Sequence, residues 1–192
     1  ADTPGYDVSE APEHAGLRRV PPGRVTLDGC RVRGDRMLGR EGAGAGVFNL
    51  HATWERSMVL APQLGAMERL LEDSVSFAST RVRDGQPVGK HQAVSHRVAD
   101  MKLRLDLSRL LLYRTASLLE EGRPARMEVA LTKTFVSEAF VESAREAIAV
   151  HGGVGYQTRT GLERDLRDAI GATIYAGTVD VQRNIVAGLL GL

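Results

Sequence analysis

The sequence predicts a mainly α fold, an antiparallel helical bundle preceded by a short β segment. From about residue 47 onward, apolar residues recur at spacings of three and four, the period of helices with one buried face. Before that point prolines, glycines and short extended pieces predominate, and no apolar repeat is sustained. We therefore divide the chain into a β part, 1–46, and a helical bundle, 47–192.

The β part contains two short extended pieces, 24–27 and 31–33, with the turn-forming pair Asp28-Gly29 between them. A lone pair of short strands is only marginally stable in water. We therefore expect this segment to be the end of a β domain whose other strands lie elsewhere.

Four apolar stripes follow, separated by turn-forming segments at 84–87, 121–124 and 151–155. Pro62 lies inside the first stripe and is expected to kink or split that helix near Leu60. Long helices joined by short loops form an antiparallel bundle. The stripes are Leu60, Leu64, Met67, Leu71, Val75 and Ala78; Val94, Val98, Met101, Leu105 and Leu112; Met127, Leu131, Thr134, Val141, Ala144 and Ile148; and Val181, Ile185, Gly188 and Leu192.

The composition excludes several classes of protein. The 192 residues include 25 basic and 24 acidic ones, so no bulk positive charge is available to hold nucleic acid. The single Cys30 cannot form an intrachain disulfide, and the five histidines show no metal-ligand spacing. Because no run of 18 apolar residues occurs, we expect no membrane span, and a reducing, cytoplasmic location fits best.

The residues alone leave the chemistry open. Gly152-Gly153 could admit a cofactor to the backbone, although a helix C-cap is the commoner use of such a pair. Gly177-Thr178 indicates first an N-cap and second an anion site at a helix start. Glu55-Arg56 is one of several Glu-Arg pairs, and a helical glutamate is usually solvated or paired one turn along.

Taken in order, the motifs resemble the C-terminal half of the acyl-CoA dehydrogenases over essentially the whole chain. Residues 1–46 resemble the second half of that family's β-barrel-like middle domain, and the remainder resembles its helical bundle. Single motifs are weak evidence, but their combination in the family's order is specific. The motifs are ADTPGYDV, VTLDGCRV, RMLGREGAGAG, ATWERSMVLA, LGAMERLLEDSVSFASTR, GKHQAVSHRVADM, AIAVHGGVGYQ and LERDLRDAIGATIYAGTVDVQRNIVA.

This resemblance implies an FAD-dependent oxidation of an acyl thioester to its trans-2-enoyl form. A carboxylate removes a proton from Cα while a hydride leaves Cβ for the flavin. In the family, a backbone N–H and a flavin hydroxyl stabilise the thioester oxygen. That N–H maps to Ala176, which makes Tyr175, Ala176 and Gly177 predicted substrate contacts.

The family's base is most often a glutamate at the position of Ala176, and alanine cannot take a proton. A minority, resembling the isovaleryl- and long-chain-type dehydrogenases, carry the glutamate on the first helix of the bundle instead. That position is Glu55 here, so the resemblance implies that Glu55 is the catalytic base. Thr53 and Arg56, beside it, match residues near the coenzyme A nucleotide.

The flavin contacts also carry over residue by residue. Arg81 matches the arginine that meets the pyrophosphate, and Gln92 matches a further contact. Gly152 and Gly153 match the pair that approaches the adenosine end across a subunit boundary. Thr178 and Asp180 match the contacts at the start of the last helix.

The resemblance further implies partners. We expect a second chain with the N-terminal half of the enzyme, whether a split gene, a proteolytic nick or a recombinant fragment separates the two. A homo- or hetero-oligomer such as a dimer of dimers is also expected, with electron-transfer flavoprotein as the electron acceptor.

Three alternatives stay open: a non-catalytic subunit of a mixed assembly, against which Glu55 argues; a flavin oxidase of the same fold; and a purely structural bundle. The acyl chain, and whether coenzyme A or a carrier protein holds it, stay open as well.

Overall fold

The structure is a computed structural model that describes residues 3–10, 12–20 and 22–192. Ala1 and Asp2, which begin the ADTPGYDV motif, lie outside the described residues. The described part contains six α-helices and two small antiparallel ribbons. The mainly helical class predicted from the apolar repeats is confirmed. The division at residue 46 stays a prediction.

The first ribbon joins β1 (Tyr6–Ser9) and β2 (Arg24–Leu27), with Tyr6 opposite Leu27. The second extended piece, 31–33, forms no strand, because β2 pairs with the segment before it rather than across Asp28-Gly29. All residues of both strands are exposed, so the ribbon has no apolar face of its own to bury.

The first helical region forms two helices, α1 (Gly44–Met58) and α2 (Ala61–Thr80), and the first stripe lies in α2 from Leu64 onward. Pro62 lies in the first turn of α2, where its missing N–H has no helical partner to lose. The predicted split near Leu60 is confirmed, and the Leu60 side chain is fully buried between the two helices' ends and the core.

A second ribbon, β3 (Val82–Arg83) and β4 (Gln86–Pro87), leads from α2 to α3 (Gln92–Glu120). Then follow α4 (Arg126–His151), α5 (Leu162–Ala172) and α6 (Val179–Leu189). The α4 helix packs against each of the other five helices and is the centre of the bundle. The main core lies where α2, α3, α4 and α5 meet.

The predicted stripe on α4 is only part of the buried surface of that helix: Ala144 is fully buried, but the other members are half-buried or exposed. Leu131, a member of that stripe, is 42% exposed, whereas Lys133 and Val136 are fully buried. A central helix is covered on most of its circumference, so its sequence has no single apolar face to display. Close packing there relies on small residues such as Ala144 and Ala147.

The stripe on α6 is also not the face that the bundle covers. Val181 and Leu192 are exposed, and the one fully buried side chain of α6 is Gln182. The apolar side of this helix therefore faces outward in the single chain.

The β segment is attached to the bundle through α5. The Leu17 N–H donates to Asp168 Oδ1 at 2.6 Å, and Arg167 donates to the Ala15 carbonyl. A Cβ on Gly16 would lie 2.5 Å from the Arg167 carbonyl oxygen, so the backbones meet closely at that point. Within the described ranges, no helix is long and apolar enough to cross a bilayer.

Candidate functional site

The loop between α5 and α6, residues 175–178, has an unusual backbone. Ala176 has φ +54° and Gly177 has φ +89°, so two successive residues are left-handed. A Cβ at Gly177 would lie 2.8 Å from Gln182 Nε2, which favours glycine there on steric grounds as well. We call this loop, together with Arg56, the loop site.

The loop exposes backbone donors. In the described part of the chain, the N–H groups of Ala176, Gly177 and Thr178 have no backbone acceptor. The Thr178 hydroxyl accepts from the Val181 N–H at 3.3 Å, which confirms it as the N-cap of α6. Unpaired N–H groups before a helix start are suited to binding a negatively charged or polarised oxygen.

The last turn of α1 reaches this loop. Arg56 Nε lies 3.7 Å from the place where a Cβ of Gly177 would be. Glu55 precedes it on the helix; its side chain is 44% exposed, and its Oε2 lies 3.6 Å from His51 Nε2. The Thr53 hydroxyl donates to the Asn49 carbonyl at 2.8 Å and is thus satisfied within its own helix.

Tyr175 anchors the loop to α2. Its hydroxyl is hydrogen-bonded to the Gln63 side-chain amide. Burial raises the pKa of Tyr175 from its usual value, and the Gln63 hydrogen bond offsets part of that rise. Asp180 is exposed and lies 3.5 Å from Arg183 Nη1.

The remaining predicted residues lie in a second place, which we call the glycine cleft. It is a cavity of about 680 Å³ lined by Arg81, His91, Gly152, Gly153 and their neighbours. Gly152 is the C-cap of α4, with φ +58° and ψ −138°, a conformation that only glycine adopts readily. Gln92 begins α3 beside the cleft and is exposed.

The glycine cleft offers a cation and open backbone together. A Cβ on Gly152 or Gly153 would meet no atom within 4 Å, so the backbone there faces open space. Arg81 also lines the cleft. This combination fits a pyrophosphate group, which pairs with arginine and needs close approach to the backbone.

The two sites lie near opposite ends of the central helix. The loop site follows Ala172, whose carbonyl contacts Lys133 in the first third of α4, and the glycine cleft is at Gly152, just after α4 ends. At 1.5 Å per residue, these points are about 28 Å apart along α4. One small ligand cannot occupy both.

Comparison with known proteins identifies the family. Residues 42–190 match the acyl-CoA dehydrogenase C-terminal domain. The chain belongs to the acyl-CoA dehydrogenase family.

Two relatives of this acyl-CoA dehydrogenase family member are named for prolyl substrates. L-prolyl-[peptidyl-carrier protein] dehydrogenase of Pseudomonas fluorescens is 44% identical over 98% of this chain and 50% of the relative. The crystal structure of the prolyl acyl carrier protein oxidase AnaB superposes with a TM-score of 0.97 at 41% identity, over 100% of this chain and 50% of the other.

A second solved structure, PigA with FAD and proline, superposes with a TM-score of 0.95 at 34% identity. It also covers 100% of this chain and 50% of the other. The chain thus spans about half the length of the relatives that it matches. Its resemblance to the C-terminal half of the family, inferred from the motifs, is confirmed.

Sequence reasoning missed several residues that shape the loop site of this acyl-CoA dehydrogenase family member. Gln63, Lys133 and Gln182 each bond to the loop or to its start. The local sequence carried no clear signal for them, since Lys133 and Gln182 both stand among other polar residues.

Proposed function

We propose that the chain is the C-terminal half of an FAD-dependent enzyme that oxidises the acyl group of a thioester at Cα and the neighbouring atom. The observation that carries the proposal is the loop site. There, unpaired N–H groups of a left-handed loop meet the last turn of α1, which bears Glu55. The proposal needs the other half of the family's architecture, whatever chain supplies it.

Each residue of the loop site has a role in this chemistry. The Ala176 N–H donates to the thioester oxygen and stabilises the enolate charge that develops there. Glu55 accepts the Cα proton, and its neighbour Arg56 supplies positive charge beside the loop. Ala176 itself has no carboxyl group, so the proton has to go to a different residue.

FAD, when bound, accepts the hydride that leaves the atom next to Cα. Arg81, Gly152 and Gly153 would hold its pyrophosphate and adenosine part, with Gln92 beside them. Thr178 and Asp180 would contact the flavin part at the loop site. Because the two sites are about 28 Å apart along α4 on one chain, we propose that they serve two different FAD molecules. Two copies in an assembly would then share both cofactors.

We propose a prolyl thioester on a carrier protein as the substrate class. Two proteins support this class: the relative that is 44% identical and the structure that superposes with a TM-score of 0.97. Both are named for the oxidation of a prolyl group on a carrier protein.

The substrate test uses the chain together with the N-terminal half and bound FAD, mixed anaerobically with three thioesters. These are prolyl-carrier protein, prolyl-coenzyme A and a straight-chain acyl-coenzyme A. We expect prolyl-carrier protein to bleach the flavin absorbance fastest. Faster bleaching by the straight-chain substrate would contradict the substrate class, and no bleaching by any of them would contradict the function.

The electron acceptor has two candidates. The family favours electron-transfer flavoprotein, whereas the similar structure AnaB is named an oxidase. We propose electron-transfer flavoprotein. Re-oxidation of the bleached enzyme in air, with stoichiometric hydrogen peroxide and no added protein, would favour the oxidase instead.

A further inference from the structure

Lys133 is the largest fully buried side chain among the described residues. It extends from α4, and its Nζ donates to the carbonyl oxygen of Ala172, the last residue of α5, at 2.5 Å. Burial lowers the pKa of Lys133 to about 8 from the usual 10.5, and no carboxylate in the described part of the chain offsets that effect.

A buried ammonium group without a carboxylate is costly. An unpaired charge in a protein interior loses several kcal/mol of hydration, and an apolar side chain of the same length avoids this loss. The partner that Lys133 does have is a carbonyl at the negative end of α5. Core packing alone therefore does not account for a lysine at this position.

The Ala172 carbonyl is where the chain leaves α5 for the loop site. The Lys133 Nζ also lies 5.6 Å from the centroid of the Tyr175 ring. At the far end of the loop, Gln182 Nε2 donates to the Gly177 carbonyl at 3.3 Å. The loop is thus fixed at both ends by buried side chains, and its middle carries the unpaired N–H groups.

We propose that Lys133 is a positioning residue for the thioester-oxygen site. Its ammonium group fixes the end of α5 and the Tyr175 ring, and it thereby sets the direction in which the Ala176 N–H points. This role rests on the proposed function, but the effect of Lys133 on the loop can be measured without any substrate.

The test compares wild type with Lys133→Met, which keeps the length and removes the charge, and with Lys133→Gln, which keeps a neutral donor. Lys102→Met is the matched control, since Lys102 is exposed on α3 and pairs with Asp106. Hydrogen exchange of the 173–178 amides is measured in the chain, and substrate reduction of the flavin is measured in the FAD-loaded enzyme with its N-terminal half.

For Lys133→Met we expect exchange of the Ile174 and Tyr175 amides, which donate to the Gly171 carbonyl at the end of α5, to rise about tenfold. We expect kcat for flavin reduction to fall at least about tenfold, KM to change less than about twofold, and FAD to stay bound. Lys133→Gln should recover part of the rate, and Lys102→Met should match wild type.

Wild-type exchange together with a wild-type rate in Lys133→Met would overturn the proposal. If Lys133→Met does not fold, Lys133→Gln decides by the same two measurements; if neither folds, the role is structural and the proposal fails. If the wild-type enzyme oxidises no thioester, the proposed function fails separately, and hydrogen exchange alone then decides whether Lys133 holds the loop.

Discussion

At the scale of single residues, the proposed function divides between two residues the tasks that the family resemblance assigns to one glutamate and its own N–H. Ala176 has a left-handed backbone and carries the proposed donor, and the proposed base, Glu55, is on α1. The proposed donor and base therefore come from a loop and a helix that are far apart in sequence. Each can be removed without the other.

We predict that Glu55→Gln slows flavin reduction by about 100-fold or more while FAD stays bound, because the amide cannot take the Cα proton. Adding Ala176→Glu on that background should restore measurable turnover. Stopped-flow absorbance checks both. Glu68→Gln is the matched control, since Glu68 also begins a Glu-Arg pair but is bonded to Arg109 on the surface of the bundle. Normal reduction by Glu55→Gln would show that another group is the base.

We predict that Gly177→Ala destabilises the protein by about 1–3 kcal/mol, because the new Cβ strains a left-handed residue and contacts Gln182. Urea denaturation measures the effect. Gly188→Ala is the contrasting variant: Gly188 lies in α6 with nothing within 4 Å of a new Cβ, so it should gain about 0.5–1 kcal/mol. Equal effects of the two substitutions would contradict the strain argument.

Lys133 should make stability depend on pH. Between pH 8 and 10.5 the folded chain has lost the Lys133 proton while the unfolded chain still holds it. The unfolded state therefore binds more protons, and the free energy of unfolding rises with pH across that window. We predict that the difference in the free energy of unfolding between wild type and Lys133→Met increases by on the order of 3 kcal/mol from pH 8 to 10.5. A difference that is flat with pH would contradict the buried charge.

At the scale of elements, the β segment is attached to the bundle by few contacts. These contacts join residues 15–17 to α5, where Asp168 accepts a hydrogen bond from the Leu17 N–H. The β1–β2 ribbon itself has no buried residue. The position of the ribbon therefore depends on contacts with neighbouring segments, whereas the bundle is held together by its own core.

We predict that Asp168→Ala loosens residues 12–20 without unfolding the helices. One charge-assisted hydrogen bond contributes about 1.5–3 kcal/mol, which is a large share of so small an attachment. Limited proteolysis should cut this segment faster, and far-UV circular dichroism should keep its helical signal. Unchanged cleavage would show that other contacts hold the segment.

At the scale of the whole molecule, the chain exposes apolar surface that a single domain does not need. Leu103, Leu107 and Leu110, one face of α3, are 57%, 40% and 66% exposed, and the apolar side of α6 is uncovered as well. Contiguous apolar surface of this kind usually becomes buried in an assembly. This agrees with the proposal that two copies share the flavin sites.

We predict that Leu107→Lys lowers the assembly state of the enzyme, because a charge on the exposed leucine face opposes burial of that face. Sedimentation velocity of the enzyme with its N-terminal half checks this. The helical signal should be unchanged, because the leucine is not part of the core. An unaltered sedimentation coefficient would show that the leucine face lies outside the interface.

Much of the fold could be predicted from local sequence. Helical periods and turn-forming segments located α2, α3 and α4, and Pro62 marked the break before α2 because proline lacks an N–H. The helix α5 was missed as an apolar stripe, although its residues belong to the motifs that indicated the family. For the candidate site, the resemblance to the family predicted which residues contact the substrate and the flavin.

The sequence by itself determined α2, α3 and α4, the break before α2 and the family, because those depend on residues close together in the chain. The tertiary structure decided that α4 is central, that the 175–178 loop is left-handed, and that Lys133 and Gln182 fix its ends. Those features depend on contacts such as that between Lys133 and Ala172. A hydrophobic repeat indicates which face of a helix is buried. It does not indicate which carbonyl from a distant part of the chain will accept a hydrogen bond from a buried lysine.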